Sequence, residues 1–228
     1  MATPYEYVHL ASATSTQDEA RRRLGDLPVL VAADRQHEGR GRSGRRWWQA
    51  ERAVFASLAL RPSWPRELWS LIPLAAGLAA RSTLASEVGL KWPNDLMTAG
   101  GKVGGLLSEA DGDSVIVGLG VNLWWPEPPD GASAIYDTDP GEAASSTVAA
   151  GWASTLLAIL DGSPQSWGRA EYRSACVTLG SQVTWTGGPA PGGGRAIDIA
   201  DDGALVVATP SGEVRLHSGE VHLMGRLR

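Results

Sequence analysis

The chain has 228 residues, 43% of them apolar and 20% charged, and its formal net charge is -5. This length fits one large domain or a domain with a small appendage, and a core of that size folds without disulfide staples. The acidic balance argues against a general nucleic-acid binder, although a local basic patch is compatible with it. The single cysteine, Cys176, excludes an internal disulfide, so we expect a reducing compartment and a small core residue.

Targeting and metal-binding signals are not expected in this sequence. The first ten residues lack the basic start and apolar run of a secretory signal. No apolar stretch is expected to reach the roughly 18 residues of a membrane span. No cysteine or histidine cluster has zinc-ligand spacing. We therefore predict a cytoplasmic protein that binds neither membranes nor nucleic acid. We expect it to be a monomer or a homodimer.

Strand and helix patterns follow one another in the first part of the chain. Residues 5–10 and 27–33 are predicted strands, and the helix between them is expected to start at the hydroxyls of residues 14–16 and to end at Gly25. A basic, glycine-rich loop at 35–46 and a strand at 53–60 come next. Residues 66–88 give the clearest helical pattern, in which Pro73 predicts a kink or a later start.

The second part of the chain changes character near residue 180. Strands are predicted at 90–92, 103–109 and 114–121, a loop at 125–142 and a helix at 143–160. Short strands then follow at 183–186, 196–199, 205–208, 214–216 and 220–223, a spacing typical of a small barrel. We expect an α+β fold with a catalytic domain at residues 1–179 and a small β-barrel domain at residues 180–228.

Rare residue types cluster in one segment of the chain. Of 20 lysines and arginines only Lys91 and Lys102 are lysines, and the only asparagines are Asn94 and Asn122. A sequence that uses arginine wherever a cation serves should keep lysine where a compact ammonium is needed. Chance clustering is the alternative, but all four residues lie inside motifs, which favours a functional origin.

The basic loop at residues 35–46 holds five arginines and one glutamate. Glycines allow a close approach to a ligand, and arginines donate to carboxylate or phosphate, so the loop is predicted to wrap an anion. Its G-x-G-x-x-G match is not a dinucleotide fingerprint, because a strand is expected to follow, and the G-K-[ST] ending of a P-loop is missing. On its own, the loop suits a solvated surface or nucleic-acid contact equally well.

Three further motifs carry chemically useful groups: KWPNDL at 91–96, GGKVGGLLSE at 100–109 and VGLGVN at 117–122. Asn94 can donate and accept, and Asp95 can hold Mg²⁺ or orient a base, although a plain Asn-Asp turn is the structural alternative. Lys102 is expected to point into a cleft and to neutralise a phosphoryl transition state, unless it is a solvated hairpin lysine. The glycines of the last motif fit close approach or tight strand packing.

In this order and spacing, GRGRSGRRW, KWPNDL, GGKVGGLLSE and VGLGVN resemble the biotin protein ligase family, over residues 8–125. Four ordered motifs are far more specific than one. The resemblance implies a mixed sheet with helices, as in class II synthetases and biotin–lipoate ligases, plus an SH3-like barrel. It implies an ATP-dependent, AMP-forming biotin–[acetyl-CoA-carboxylase] ligase with Mg²⁺ as cofactor. Biotin would become biotinyl-5'-adenylate and then be joined to a lysine of a biotin carboxyl carrier protein.

The resemblance also implies a role for each matching residue. The residues expected to bind biotin, the first three at its ureido group, are Ser15, Thr16, Gln36, Gly39, Arg40 and Lys102. The residues expected to bind ATP or the adenylate are Arg42, Trp47, Asn94, Asp95 and Asn122. Asp95 is also the expected Mg²⁺ ligand. The expected catalytic residues are Lys102, Arg40 and Arg42.

Two departures and several alternatives accompany the resemblance. Gln17 stands where the family commonly has asparagine, and His37 and Glu38 stand where it often has small or amide residues. The pattern starts almost at the first residue, so neither a helix-turn-helix domain nor a repressor function is expected. The alternatives are a lipoate or octanoate ligase or transferase, a non-catalytic biotin-binding module, and a nucleic-acid binder whose affinity would fall steeply with salt.

Overall fold

The structure is a computed structural model. It describes residues 4–44, 47–48, 50–84, 87–186 and 191–224, so Arg45 and Arg46 of the basic loop lie outside the described residues. The strands of the larger sheet are β1 (Glu6–Leu10), β2 (Val29–Ala33), β3 (Arg52–Leu60), β4 (Gly89–Lys91), β5 (Asp95–Thr98), β6 (Gly101–Asp111) and β7 (Ser114–Trp124). Their spatial order is β1-β2-β3-β7-β6-β5-β4. Only the β1–β2 pair is parallel among these described strands.

Four α-helices accompany this sheet in the described part of the chain: α1 (Thr16–Arg23), α2 (Ile72–Thr83), α3 (Ala143–Leu160) and α4 (Arg169–Ala175). Ser15 is the N-cap of α1 as predicted, but its side chain makes no capping hydrogen bond. Pro73 lies in the first turn of α2, after a 3-10 helix at Arg66–Leu71, so the later start is the correct alternative. The predictions missed β5 and α4, which are too short to give a clear hydrophobic period.

The two faces of the large sheet are covered by different helices. Helices α2 and α3 pack on one face, where apolar side chains of β2, β3, β6 and β7 form the main core. Helix α1 packs on the other face, where Ala20 contacts a small cluster that contains Ala59 and Ile116. Because α1 is only eight residues long, it covers one end of that face and leaves the rest to a site.

Helix α3 requires a correction to the expectation about apolar stretches. Its 18 residues are long and apolar enough, by length and composition, to cross a membrane. However, it packs against α2 and the sheet, and Trp152 on its buried face donates from Nε1 to Ala76 O at 3.1 Å. Burial against two layers explains an apolar helix within a folded domain.

The C-terminal strands form a second sheet, and each of them was predicted. They are β8 (Gln182–Thr186), β9 (Gly192–Ile199), β10 (Leu205–Thr209), β11 (Gly212–Leu216) and β12 (Glu220–Leu223), in the antiparallel order β11-β10-β9-β8-β12. The α+β fold with a small SH3-like C-terminal unit is confirmed. The described strands form an open sheet rather than a closed barrel, because β11 and β12 remain its two edges.

The two sheets share one hydrophobic core. Trp92, only 2% exposed, donates from its backbone N to Thr178 Oγ1 at 2.9 Å and from Nε1 to Gly203 O at 3.0 Å. The core cluster joins residues of both sheets. Cys176 belongs to it, and burial raises the pKa of its thiol, as expected for a small core residue. We propose that residues 1–179 and 180–228 are separate domains.

Candidate active site

The open part of the sheet face has a floor of glycine. Gly105 of β6 pairs with Gly120 of β7, and Gly118 pairs with Ser57 of β3. A Cβ atom at Gly120 would lie 2.9 Å from the indole of Trp47, and one at Gly105 would lie 3.4 Å from it. The indole therefore rests directly on the sheet backbone, and the missing side chains create a trough beneath the basic loop.

One end of the trough is a network of hydroxyl and amide groups. The backbone N and Oγ1 of Thr16 both donate to Gln36 Oε1, at 2.9 and 3.1 Å. Thr16 Oγ1 also lies 2.9 Å from Ser57 Oγ, and because Thr16 donates to Gln36, Ser57 must be the donor in this pair. Ser57 keeps acceptor lone pairs, and Gln36 keeps amide donors. This end of the trough thus offers both donors and acceptors.

Backbone pairing holds that polar end in place. Ala13 N donates to Arg35 O and His37 N donates to Ala13 O, both at 3.0 Å, and Glu38 N donates to Thr14 O at 2.9 Å. The segment before α1 therefore lies alongside the start of the basic loop. Thr16 is 3% exposed as a result, and the network is fixed before a ligand arrives.

Arg40 lies beside the polar end and is held by helix α1. Its Nη2 donates to Asp18 Oδ1 at 2.6 Å and lies 3.4 Å from Ser15 Oγ. Asp18 Oδ1 also accepts from Arg21, and Arg21 pairs with Glu109 on β6. A chain of ion pairs thus connects the basic loop to the sheet through α1.

Arg42 reaches the opposite wall of the trough. Its Nη1 donates to Asn94 Oδ1 at 3.0 Å. Asn94 is itself fixed, because Nδ2 donates to Leu106 O and Leu106 N donates to Asn94 O, both at 2.9 Å. The asparagine of the KWPNDL motif therefore links the basic loop to β6.

Lys102 points into the trough because β6 is irregular at its start. Strict alternation from Gly105 would place Lys102 on the other face, but the β5–β6 register shifts between Leu96 and Met97 and turns it towards the site. Its Nζ hydrogen-bonds Asp95 Oδ1 and lies 5.6 Å from the centre of the Trp47 ring. The ammonium is thus held by a carboxylate below and an aromatic face beside it.

A protein-built Mg²⁺ site at Asp95 does not fit these contacts. Lys102 occupies one carboxylate oxygen of Asp95, and Lys91 Nζ lies 3.4 Å from the other. Among the residues described by the structure, no group of three or more histidine, cysteine or acidic side chains is arranged to hold a metal ion. A carboxylate that already compensates two ammonium groups is a poor ligand for a divalent cation.

Asn122 closes the far end of the trough together with the loop that follows β7. Its Nδ2 donates to Ser133 O at 3.0 Å, and Ile135 N donates to its backbone O at 3.0 Å. The same loop bonds the backbone of Lys102 at Gly131 and Ser133. Asn122 is 4% exposed, and its Oδ1 has no hydrogen-bond partner in the described part of the chain.

The structure brings the predicted site residues together in one cavity of about 600 Å³. Ten of the eleven line it: Ser15, Thr16, Gln36, Arg40, Arg42, Trp47, Asn94, Asp95, Lys102 and Asn122. Gly39 lies behind them, where a Cβ atom would come within 2.8 Å of Gln36 Nε2 and 3.0 Å of Trp47 Cβ. Its part is to let the loop pack closely.

Sequence reasoning missed several residues of the cavity. Phe55 and Ser57 contribute from β3, Trp125 from the loop after β7, and Gly219–His222 from the second sheet. Gln17, which was named above as a departure from the family pattern, also lines the cavity; it is 5% exposed, and its Oε1 has no partner among the described residues. Lys91 was singled out by its rarity but received no role. The C-terminal residues carried no local signal, since only packing brings them here.

Comparisons with known proteins show the family to which the chain is similar. Residues 10–122 match the Biotin/lipoate A/B protein ligase family, and residues 178–224 match the Biotin protein ligase C terminal domain. The biotin–[acetyl-CoA-carboxylase] ligase of Mycobacterium tuberculosis is 35% identical over 85% of this chain and 78% of that protein. The enzyme of the same name from Paracoccus denitrificans is 31% identical over 95% of this chain and 100% of that protein.

Solved structures of biotin protein ligases have a similar fold. The biotin protein ligase from Aquifex aeolicus in complex with biotin and ATP has a TM-score of 0.80 and 27% identity, covering 96% of this chain and 98% of that chain. The biotin protein ligase from Leishmania major in complex with biotinyl-5-AMP has a TM-score of 0.65 and 25% identity, covering 97% and 99%. The ordered motifs, the shared cavity and these matches together show that the chain belongs to the biotin protein ligase family.

Proposed function

We propose that this protein is an ATP-dependent ligase that activates biotin as biotinyl-5'-adenylate and transfers it to a lysine of a biotin carboxyl carrier protein. One observation supports it most directly: Arg40, Arg42 and Lys102 line the same cavity as the polar network around Thr16. Two anions, the biotin carboxylate and ATP, must meet for the reaction to start. A cavity with three cations can hold both against their mutual repulsion.

In this proposal the ureido ring of biotin binds at the polar end of the trough. A cyclic urea has two N–H donors and one carbonyl acceptor, and the network of Thr16, Gln36 and Ser57 offers both kinds of partner. Ser15 and Arg40 lie beside that network. Gly105 and Gly120 put no side chains on the floor of the trough, so the apolar ring and chain would lie along that floor beside the Trp47 indole. The carboxylate of biotin would then lie close to Lys102.

The activation step follows from that placement. A carboxylate oxygen of biotin attacks the α-phosphorus of ATP, the bond from this phosphorus to the bridging oxygen of the β-phosphate breaks, and pyrophosphate leaves. Lys102 would lie between carboxylate and α-phosphate and Arg42 at the phosphates, where each offsets negative charge. Holding both reactants in line removes much of the entropic cost of the encounter. The product is the mixed anhydride of biotin and AMP.

The transfer step requires that this anhydride be kept from water. Trp47 covers the trough, and the loop at 129–136 is bonded to Lys102 and Asn122, so both ends of the adenylate would be enclosed. The neutral amine of the carrier lysine attacks the acyl carbon, the bond to AMP breaks, and the amine loses a proton. The consumption of ATP suits a cytoplasmic enzyme. We infer that Mg²⁺ enters with ATP, because Asp95 already faces two lysines.

The direct test is to incubate the protein with biotin, Mg-ATP and a carrier domain and to look for the biotinylated mass of the carrier. A parallel reaction with lipoate separates biotin ligation from lipoate ligation. Omitting ATP separates a ligase from a transferase. Transfer of lipoate in preference to biotin, or biotin binding without pyrophosphate release, would refute the proposal.

Lys102→Ala gives a more specific test of the activation step. Because the ammonium is expected to stabilise charge in the transition state, pyrophosphate release should fall by about 100-fold or more. Biotin affinity, measured by isothermal titration, should change far less, since the polar network stays intact. Arg22→Ala, at an exposed position of α1, is the matched control and should retain the wild-type rate. An unchanged rate in Lys102→Ala would remove this residue from the mechanism.

A further inference from the structure

Both lysines of the chain meet on a single carboxylate. Asp95 Oδ1 hydrogen-bonds Lys102 Nζ, and Asp95 Oδ2 lies 3.4 Å from Lys91 Nζ. Lys91 and Asp95 are directly opposite each other in the β4–β5 pair, so their side chains lie on the same face of the sheet. All three line the cavity, and the side chains of Lys91 and Asp95 are only 21% and 19% exposed. The contact is therefore partly shielded from solvent.

We propose that Lys91 is a positioning residue for the activation step, and that it acts by sharing Asp95 with Lys102. This inference rests on the proposed function. Two ammonium groups and one carboxylate carry one net positive charge, which remains available to the incoming anions. Without Lys91, the same carboxylate would compensate Lys102 alone, and both of its oxygens would compete with the ligand for that ammonium.

The composition of the chain supports this assignment. Of 20 basic residues only these two are lysines, although arginine serves at every other cationic position. A guanidinium spreads its charge over a planar fork, whereas an ammonium is a compact point charge. In a narrow trough, two compact ammonium groups can contact the same carboxylate, one at each of its oxygens. This arrangement is the simplest reason to keep lysine at both positions.

The kinetic test uses Lys91→Met, which keeps most of the length and loses the charge. The rate constant kcat for pyrophosphate release should fall about tenfold or more, while KM for biotin stays within about twofold. Lys91→Arg restores the charge but in a larger, planar group, so it should recover only part of kcat. A purely structural role would lower thermal stability and would not give this split between kcat and KM. An unchanged kcat in Lys91→Met would overturn the proposal.

A double-mutant cycle tests whether Lys91 acts through Asp95. In an Asp95→Asn background the carboxylate charge is gone, so adding Lys91→Met should cause little further loss of kcat. A loss of the same size in both backgrounds would mean that Lys91 acts independently, and would refute the sharing of one carboxylate.

A measurement without substrates separates this inference from the proposed function. Because the chain has two lysines, labelling with 15N-lysine gives two side-chain Nζ signals. In Lys91→Met the remaining Lys102 signal should shift, and the same substitution should leave it unmoved when Asp95 is asparagine. A failed biotin reaction with this shift present would reject the function but keep the geometry. Normal activity with no shift would reject the role of Lys91.

Discussion

Gly120 shows how strongly one absent side chain shapes this site. Its backbone supports the Trp47 indole, which would meet an added Cβ atom at 2.9 Å. Trp47 is also tied to the basic loop, because its backbone N donates to Gly39 O at 2.8 Å. The cover of the trough therefore depends on two glycines, one in the loop and one in the sheet.

Replacing Gly120 with alanine should displace the indole and expose the adenylate to water. We expect more pyrophosphate released per biotinylated carrier than in the wild type, with an overpacking cost of about 1–3 kcal/mol in stability. Gly25→Ala is the control, because no atom lies within 4 Å of its Cβ position. If Gly120→Ala released the same amount of pyrophosphate per biotinylated carrier as the wild type, Trp47 would not protect the intermediate.

The rarity of lysine and asparagine was a reliable guide at this scale. The cavity is lined by all four of these residues: Lys91, Asn94, Lys102 and Asn122. The first and the last of them are 31 positions apart in the chain. Composition reports which residue types are needed, since a compact ammonium or a side-chain amide is not replaced by arginine without loss. It does not report orientation, which for Lys102 depends on the register shift beside it.

At the scale of elements, the loop at 125–142 has its own anchor. Arg52 of β3 donates twice to Asp139, from Nε to Oδ1 at 3.0 Å and from Nη2 to Oδ2 at 2.8 Å. The backbone N of Gly141 adds a third bond to Oδ1 at 2.9 Å. The hydrogen bond from Arg52, followed by that from Gly141, lowers the pKa of Asp139 below its ordinary value.

Asp139→Asn should lower the thermal midpoint at neutral pH, because the ionised carboxylate is the form that the fold stabilises. A lowered pKa in the folded protein means that the stabilisation is complete above the unfolded pKa and is lost as pH falls through the folded value. The difference between wild type and variant should be full above about pH 5 and should vanish in stronger acid. Asp137→Asn, in the same loop, is the control. A difference independent of pH would contradict this.

Among the described strands and α-helices, the two that the sequence did not predict, β5 and α4, are both short, although other short strands such as β4 were predicted. The nine residues of β3 and the eleven of β7 repeat apolar positions often enough to be recognised. Strand β5 has four residues and begins at the aspartate of an Asn-Asp pair that local chemistry favours as a turn. Helix α4 has seven residues and buries Tyr172 alone, so its period could not be read.

At the scale of the whole molecule, one contact joins the second sheet to helix α2. Gly203 accepts from Trp92 Nε1 and has a positive φ of 83°. A Cβ atom there would lie 2.8 Å from Leu74 Cδ1 and 3.1 Å from Leu71 Cδ2. The turn between β9 and β10 therefore packs on α2 with no space for a side chain.

Gly203→Ala should destabilise the molecule more than Gly180→Ala does. Gly180 has a similar φ of 81° and no atom within 4 Å of its Cβ position, so it isolates the backbone cost of about 1–2 kcal/mol. The clash with α2 should add about 1–3 kcal/mol at Gly203, measured by denaturant unfolding. Equal losses in the two variants would mean that the sheets are not coupled through this contact.

The sequence by itself determined the chemistry: an arginine loop for anions, two lysines and two asparagines in ordered motifs, and most of the strands and helices. These properties depend on residue type and on spacing along the chain. Only the tertiary structure decided that Arg42 meets Asn94, that one carboxylate serves both lysines, and that the second sheet lines the cavity. The first and last of these contacts join residues far apart in sequence, and packing of the whole chain fixes their distances. The lysine–carboxylate contacts are local, but they depend on the β4–β5 pairing and on the register shift between β5 and β6.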